Sequence, residues 1–381
     1  MKNVAVFFGG RTAEHEVSIV TAMQCMENLD AKKYQIIPIY IDREGLWHTG
    51  PTLRRLENLQ HFKADQAKRC YLPAEPGAKL CVRAKKAFGE KVEEQPIDVA
   101  MLAMHGLHGE DGTLQGLLEL CDIPYTSCNV GASAGGMDKI LMKHVFRGVG
   151  LPVLPDVAVT RDAWETAREA TVAAIEKALP YPVFIKPAVL GSSIGVGCAG
   201  DREALVNCMA VACHYAARIL VERAVVSPRE VNCAALGQGE QVLISAIEEP
   251  LRAEAFLSFS DKYLSGGKQK GMKSLKRKMP ADLPEEVSQA VRDYTRRCFA
   301  ALDCKGVARV DFILEGDDIY VNEINTIPGS MAFYLWEPQG IGFGQLLDRL
   351  IAIAEADTND KKRSQYAFSS GILGQFTSGK S

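Results

Sequence analysis

Between Gly306 and Ser330 the chain reads GVARVDFILEGDDIYVNEINTIPGS, two runs of alternating apolar residues joined by a tight acidic turn. Val307 to Leu314 alternates apolar residues with Arg309 and Asp311, and Ile319 to Asn325 ends in Glu323-Ile324-Asn325. Strand side chains repeat every second residue, so Glu-x-Asn puts a carboxylate and an amide on one face. Hard oxygen donors grouped this way suit magnesium, which keeps room for phosphate and water. A three-residue loop, Gly316-Asp317-Asp318, sets Asp311 opposite Glu323 and Arg309 opposite Asn325. A two-residue loop reverses the parity and separates them. A metal site here therefore predicts an odd loop; the competing reading is an edge hairpin with solvated acids.

With 381 residues, the chain exceeds one ordinary core, and two or three domains are expected. A net charge of −3 gives no electrostatic case for nucleic acid. No stretch approaches the roughly 18 apolar residues of a membrane span, and MKNVAVFFGG reads as a first buried strand, not a signal peptide. The eleven cysteines contain no CxxC pair and sit mostly in apolar segments, the pattern of reduced thiols in a cytosolic enzyme.

In chain order, Val4 to Gly10 is a strand, and a helix follows with Thr12 as its cap and Glu14 in its first turn. YQIIPIYID is a second strand, so the order predicts a parallel, doubly wound sheet. Asp42 to Gln95 reads as an irregular excursion with one helix, and IDVAMLAMHG as a third buried strand. Lys139 and Lys143 fall on a helix ending at Gly150, and AWETAREATVAAIEKAL reads as one long helix. YPVFIKPAVLGSSIGVGCAG predicts a strand ending at Lys186, a GSSIG loop and a return strand. Such a loop can close over a polyphosphate with backbone N–H groups and hydroxyls as donors; as a lone motif it is equally an ordinary turn. RILVERAV is a strand ending in Glu222 and Arg223. Lys268 to Lys278 is a basic run, read as a solvated loop, a nucleic-acid patch or a lid over ATP. The tail from Asp357 is polar and expected to be loosely held.

Two phosphate-site alternatives fail on spacing. The pair Gly9-Gly10 after the first strand lacks the GxGxxG fingerprint, and the terminal Gly379-Lys380-Ser381 lacks both the upstream glycine and a following helix.

Taken together, FFGGRTAEHEVS, HGLHGEDGTLQGLLEL, ASAGGMDK, FIKPAVLGSSIGV, DKYL, ARVDF and NEINTIPG resemble the ATP-grasp superfamily, and more narrowly the D-alanine–D-alanine ligases. The resemblance implies an α/β ATP-grasp fold of three domains: a Rossmann-like N-terminal domain over 1–127, a central lobe over 128–221, and a lobe with the metal site over 222–358. A loosely ordered tail, 359–381, follows. It implies ATP and two magnesium ions, with manganese as an alternative, and D-alanine as the small-molecule substrate. A cytoplasmic homodimer with no nucleic-acid or membrane partner is expected.

By the same resemblance, Asp311, Glu323 and Asn325 are metal ligands, and Lys139, Lys186 and Ser193 bind phosphate. Glu222 and Val225 form the adenine hinge and Glu230 meets the ribose. Arg309 and the Gly329 N–H stabilise the oxyanion, and Lys262 reaches the transferring phosphate. Glu14 pairs with the first substrate's ammonium, tied to Ser192 and Tyr263, and His105 lies beside that substrate's carboxylate. After NEINTIPG the chain departs from the family pattern. SMAFYLWEP replaces the stretch that binds the second substrate's carboxylate, so Ser330 and Met331 stand in for it and D-serine is an alternative acceptor. An ATP-grasp module that binds nucleotide without catalysis is the reading from another class; the presence of all three metal positions and Arg309 opposes it.

Overall fold

Val4 to Gly9 is buried on both faces, as a central parallel strand requires. In the computed structural model, which describes residues 1–85, 89–251, 277–365 and 367–375, β1 (Lys2–Gly9) lies parallel to β2 (Tyr34–Ile41) and to β7 (Val99–Leu102). Where an irregular excursion was expected, β3 (Trp47–Thr49), β4 (Lys68–Tyr71), β5 (Leu80–Lys85) and β6 (Glu90–Gln95) extend the sheet antiparallel beyond β2. These strands are short and carry charged residues, so their periodicity is weak. Helix α1 (His15–Asn28) packs on this sheet. Glu14 takes its N-cap position, in place of Thr12, whose hydroxyl instead accepts from the Glu14 N–H at 3.3 Å.

The second sheet is antiparallel, in the order β10 (Gly197–Ala199), β9 (Val183–Pro187), β11 (Arg218–Arg223), β8 (Asp156–Thr160). The helix expected over Ala163 to Leu179 is two, Arg161–Thr166 and Arg168–Ala178, broken at Ala167 with φ −139°. Threonine hydroxyls at the break, Thr166 and Thr171, bond the carbonyls of Asp162 and Ala163 and compete with the helical ladder.

The third sheet runs β13 (Gln241–Ile244), β12 (Arg229–Gln238), β16 (Lys305–Glu315), β17 (Asp318–Asn325), all antiparallel. A small ladder joins β14 (Glu249–Pro250) to β15 (Arg277–Lys278). One face of the third sheet, Val231, Cys233, Ala235, Val310 and Phe312, shares a core with the helix Glu285–Ala301. From the other face, Ala234, Leu236 and Val307 join the core of the first sheet, together with the helix Phe343–Lys361. The first core is thus not confined to residues 1–127.

The hairpin corrects the expected loop. Glu315 pairs with Asp318, leaving the two-residue loop Gly316-Asp317, with Gly316 at φ +60° in the Gly-first pattern of a type II′ turn. The parity that should then separate the acids is restored by a β-bulge: Phe312 pairs with Val321, Asp311 with Glu323, and Asn322 is left over. Asp311 therefore faces Glu323, and Arg309 faces Asn325.

All eleven cysteines are free and nine are buried. Among the described residues no helix is long and apolar enough to cross a membrane. The tail begins later than expected, because the last long helix runs to Lys361 and Asp357 is buried within it. Asp357 is ion-paired with Lys305, whose ammonium also lies 4.0 Å over the Tyr125 ring. Lys361 bridges Asp357 and Glu119. Asp357→Ala should cost about 3 kcal/mol by stranding the buried Lys305, and Lys305→Met with Asp357→Leu should recover most of it. Urea unfolding measures both; a loss under about 0.5 kcal/mol for the single variant would show a solvated pair.

Candidate active site

Cross-strand partners share a face, and the third sheet carries a polar row on one: Glu248 pairs with Asn232, Asn232 with Asp311, and Asp311 with Glu323. Arg309 grips Asp311 with both arms, Nε to Oδ1 at 2.6 Å and Nη2 to Oδ2 at 2.8 Å. Burial opposes the charge on Arg309, but the adjacent Asp311 carboxylate outweighs it and keeps the guanidinium ionised. Asn325 donates to Asp311 at 3.2 Å. The Asn232 amide is oriented to donate to Asp311 Oδ1 at 3.2 Å. Among the described residues no three His, Cys, Asp or Glu side chains converge on a metal position; the donor set here is two carboxylates and an amide.

Two lysines face this row from the second sheet and the helix beside it. Lys186 at the end of β9 donates to Glu222 at 2.5 Å and to the bulged Asn322 at 3.3 Å. Lys139, first residue of the helix Lys139–Gly148, donates to the Leu190 carbonyl at 2.7 Å and stands 4.0 Å from Glu323. Glu222 is fully buried between Lys186 and Lys143, which also donates to the Leu154 carbonyl at 3.0 Å. Burial alone would raise the Glu222 carboxyl; the two ammonium groups overcome it and hold it at about 2. Val225 is buried just past the end of β11, and Glu230 lies on β12, two residues before Asn232 on the same face.

At the other end, the GSSIG loop meets α1. Ser192 donates to the Glu14 carboxylate. Ser192 and Ser193 both adopt left-handed φ, +54° and +60°. Glu14 is pinned between two glycines: a Cβ on Gly106 or on Gly191 would lie 2.7 Å from its Oε2. A cavity of about 340 Å³ opens beside it, walled by Leu107, Met137, Leu190 and Ile194, with Arg11 and Arg43 also lining it.

Residues 329–335 follow the third sheet, and all but Gly329 are buried. Ser330, Met331 and Ala332 are left-handed in succession, φ +53°, +53° and +49°, a conformation that costs non-glycine residues roughly 1–2 kcal/mol each. The Ser330 N–H donates to Thr21 Oγ1 at 3.1 Å, and the same oxygen lies 2.8 Å from His105 Nε2. Burial pushes the His105 imidazole down to about 4, against a hydrogen bond to the Ile327 backbone, so the ring is neutral at pH 7.

Glu110, Asn232 and Thr21 were not singled out from sequence. Glu110 joins His105's loop to the bend after Asn325, accepting from the N–H groups of Gly106 at 2.8 Å and Ile327 at 3.1 Å. Burial, with the charge of Glu14 next, raises its carboxyl to about 8. Its signal was an acid inside a glycine-punctuated loop; Asn232 could have been found from its period-two spacing to Glu230. Thr21 carries no sequence signal, since a threonine in mid-helix is ordinary. Lys262, Tyr263 and the basic run as far as Lys276 lie outside the described residues.

Because the Glu222 carboxyl is depressed in the fold, its contribution to stability is present above 4.5 and fades as pH falls through about 2. Wild type should therefore exceed Glu222→Gln in unfolding free energy at pH 6, and the gap should narrow by about 2 kcal/mol at pH 3. Urea titrations at the two pH values measure it; a gap independent of pH would mean the two lysines do not hold the ionised form.

Two family models match the chain: "D-ala D-ala ligase N-terminus" over residues 3–128 and "D-ala D-ala ligase C-terminus" over residues 145–352. Curated relatives include the D-alanine–D-alanine ligase of Caldicellulosiruptor bescii, 38% identical over 96% of this chain and 98% of its own. That of Thermosipho melanesiensis is 37% identical over 95% and 96%. Among solved structures, the D-alanine-D-alanine ligase from Coxiella burnetii aligns with a TM-score of 0.77 at 29% identity, covering 95% of this chain and 96% of that one. The VanG D-Ala:D-Ser ligase from Enterococcus faecalis aligns at 0.75 and 29%, covering 93% and 99%. On this combination of sheets, site and similarity, the chain belongs to the D-alanine–D-alanine ligase family, with the ATP-grasp fold.

Proposed function

We propose that the chain is a D-alanine–D-alanine ligase that joins two D-alanine molecules at the expense of ATP, supplying dipeptide for peptidoglycan precursors. The observation that carries this reading is the polar face Arg309, Asp311, Glu323 and Asn325 set against Lys139 and Lys186. A carboxylate is a poor electrophile until phosphorylated, and phosphoryl transfer needs positioning and charge neutralisation more than covalent help. In this reading Glu14, held by Ser192, takes the ammonium of the first D-alanine. Lys139, Lys186 and the Ser193 loop take the ATP phosphates; Glu222 and Val225 flank the adenine, and Glu230 meets the ribose. The first D-alanine's carboxylate lies near His105, Arg309 and the Gly329 N–H and becomes an acyl phosphate. The second D-alanine's amine attacks that carbon, its carboxylate held by Ser330 and Met331. Arg309 and Gly329 stabilise the oxyanion that then forms, and phosphate leaves. Lys262, on the transferring phosphate, and Tyr263, beside Glu14, belong to the same proposal.

The donor set fits magnesium, with two carboxylate groups and an amide oxygen on adjacent strands, all hard ligands. Asp311, Glu323 and Asn325 would hold two ions, which when bound neutralise phosphate charge. Division into domains near residues 127 and 221 belongs to the same proposal, supported by the N-terminal family model ending at 128. So do the homodimer, which light scattering measures, and the cytoplasmic location; both rest on the family alone.

A second reading, D-serine as acceptor, rests on the segment SMAFYLWEP after Gly329, read above as a departure from the family pattern. Likeness to the D-Ala:D-Ser ligase is nearly that to the D-alanine-D-alanine ligase from Coxiella burnetii. Purified protein with ATP, magnesium and D-alanine should release phosphate and yield the dipeptide by mass spectrometry. Phosphate release that requires D-serine would overturn the first reading in favour of the second, and none with any acceptor would overturn both. Glu323→Gln should weaken magnesium activation and cut turnover at least about 100-fold while the thermal midpoint holds; a fully active variant would remove Glu323 from the metal set.

A further inference from the structure

Thr21 sits on α1, two turns after Glu14, and is 1% exposed. Its hydroxyl has one hydrogen and two partners. Ser330 N–H is a donor, so Thr21 Oγ1 accepts there. The same oxygen shares a hydrogen bond with His105 Nε2 at 2.8 Å. Thr21 thus links the Ser330 backbone to His105 through one hydroxyl.

The turn it anchors needs an anchor. Three consecutive non-glycine residues in the left-handed region persist only where surrounding structure over-determines them. Below Ser330, burial of Met331 to Leu335 and the stack of Phe333 on Phe343 fix the far side. At Ser330 itself the Thr21 bond is the tie to α1, while among the described residues the Ser330 hydroxyl makes no hydrogen bond.

We propose that Thr21 is a positioning residue for the second substrate, holding the Ser330 turn from α1 so that the unengaged Ser330 hydroxyl meets that substrate's carboxylate. This rests on the ligase reading above. Thr21 touches neither substrate in this scheme, and Glu14 grips the first substrate independently through Ser192.

The test is a kinetic series, with donor and acceptor KM resolved from the dependence on D-alanine. Thr21→Val keeps shape and removes the hydroxyl; it should raise acceptor KM by about tenfold or more with kcat within about threefold, and raise donor KM several-fold less, through the lost bond to His105. Thr21→Ser should restore wild-type values. Ser330→Ala, whose small side chain changes little packing, should show the same acceptor loss, and adding Thr21→Val should not deepen it. Equal rises in both KM values, no rise, failure of serine to rescue, or multiplicative effects in the double variant would each overturn the proposal. A second readout needs no turnover: exchange of the Ser330 amide hydrogen should be about tenfold faster in Thr21→Val and unchanged in Thr21→Ser. Unchanged exchange in valine would overturn the anchoring contact. If wild type forms no dipeptide at all, the ligase reading fails, and the exchange result still decides the contact.

Discussion

Asp311 meets Glu323 only because Asn322 is squeezed out of the β16–β17 ladder. Below the bulge the hairpin follows its two-residue turn, and every pairing has the parity that turn imposes. Above it the parity is reversed, and the acids, the amide and Arg309 come onto one face. The residue displaced by the bulge is not idle, since its side-chain oxygen accepts from Lys186. One irregularity thus aligns the oxygen donors within the third sheet and ties them to a lysine of the second. Bulges recur beside active sites for this reason: they re-aim side chains without changing the fold.

Charge compensation around this face is local. Lys186 is held by Glu222, Glu222 by Lys143, and Arg309 by Asp311. Each buried charge has a partner near enough to offset its desolvation, which an unpaired one would not. The arrangement leaves cationic groups over one side of the face and oxygen donors on the other, the division of labour that a polyphosphate and its cations require.

Strands with strong alternation were legible in the sequence. Gly306 to Asn325, Val183 to Lys186 and Arg218 to Arg223 all form where their patterns put them. The loop length was not, because a bulge leaves no mark on an alternating pattern that a longer turn would not also leave. Lys68 to Gln95 escaped for a different reason: β4 and β6 are short and charged, and in β5 Leu80, Cys81 and Val82 are buried in succession, so no strand there shows a period of two. Residues of the site that belonged to ordered blocks, such as Glu14 and Asp311, could be named by resemblance. Thr21 and Asn232 act through contacts between distant segments, 309 residues apart in the case of Thr21 and Ser330, and such contacts are a property of the packing.

The two ends of the site are built from different physics. At the α1 end a carboxylate, Glu14, is pressed between glycines and bonded by a serine, so a change there meets close packing and a charge at once. Around residues 329–335 the groups are neutral: a threonine hydroxyl and a backbone N–H hold a strained turn, with the buried His105 imidazole bonded behind them. Hydrogen bonds among neutral groups contribute about 1 kcal/mol each, comparable to the strain of a single left-handed residue. The segment after Gly329 is therefore balanced closely enough that a few substitutions there can reshape it while the ion pairs on the third sheet stay in place.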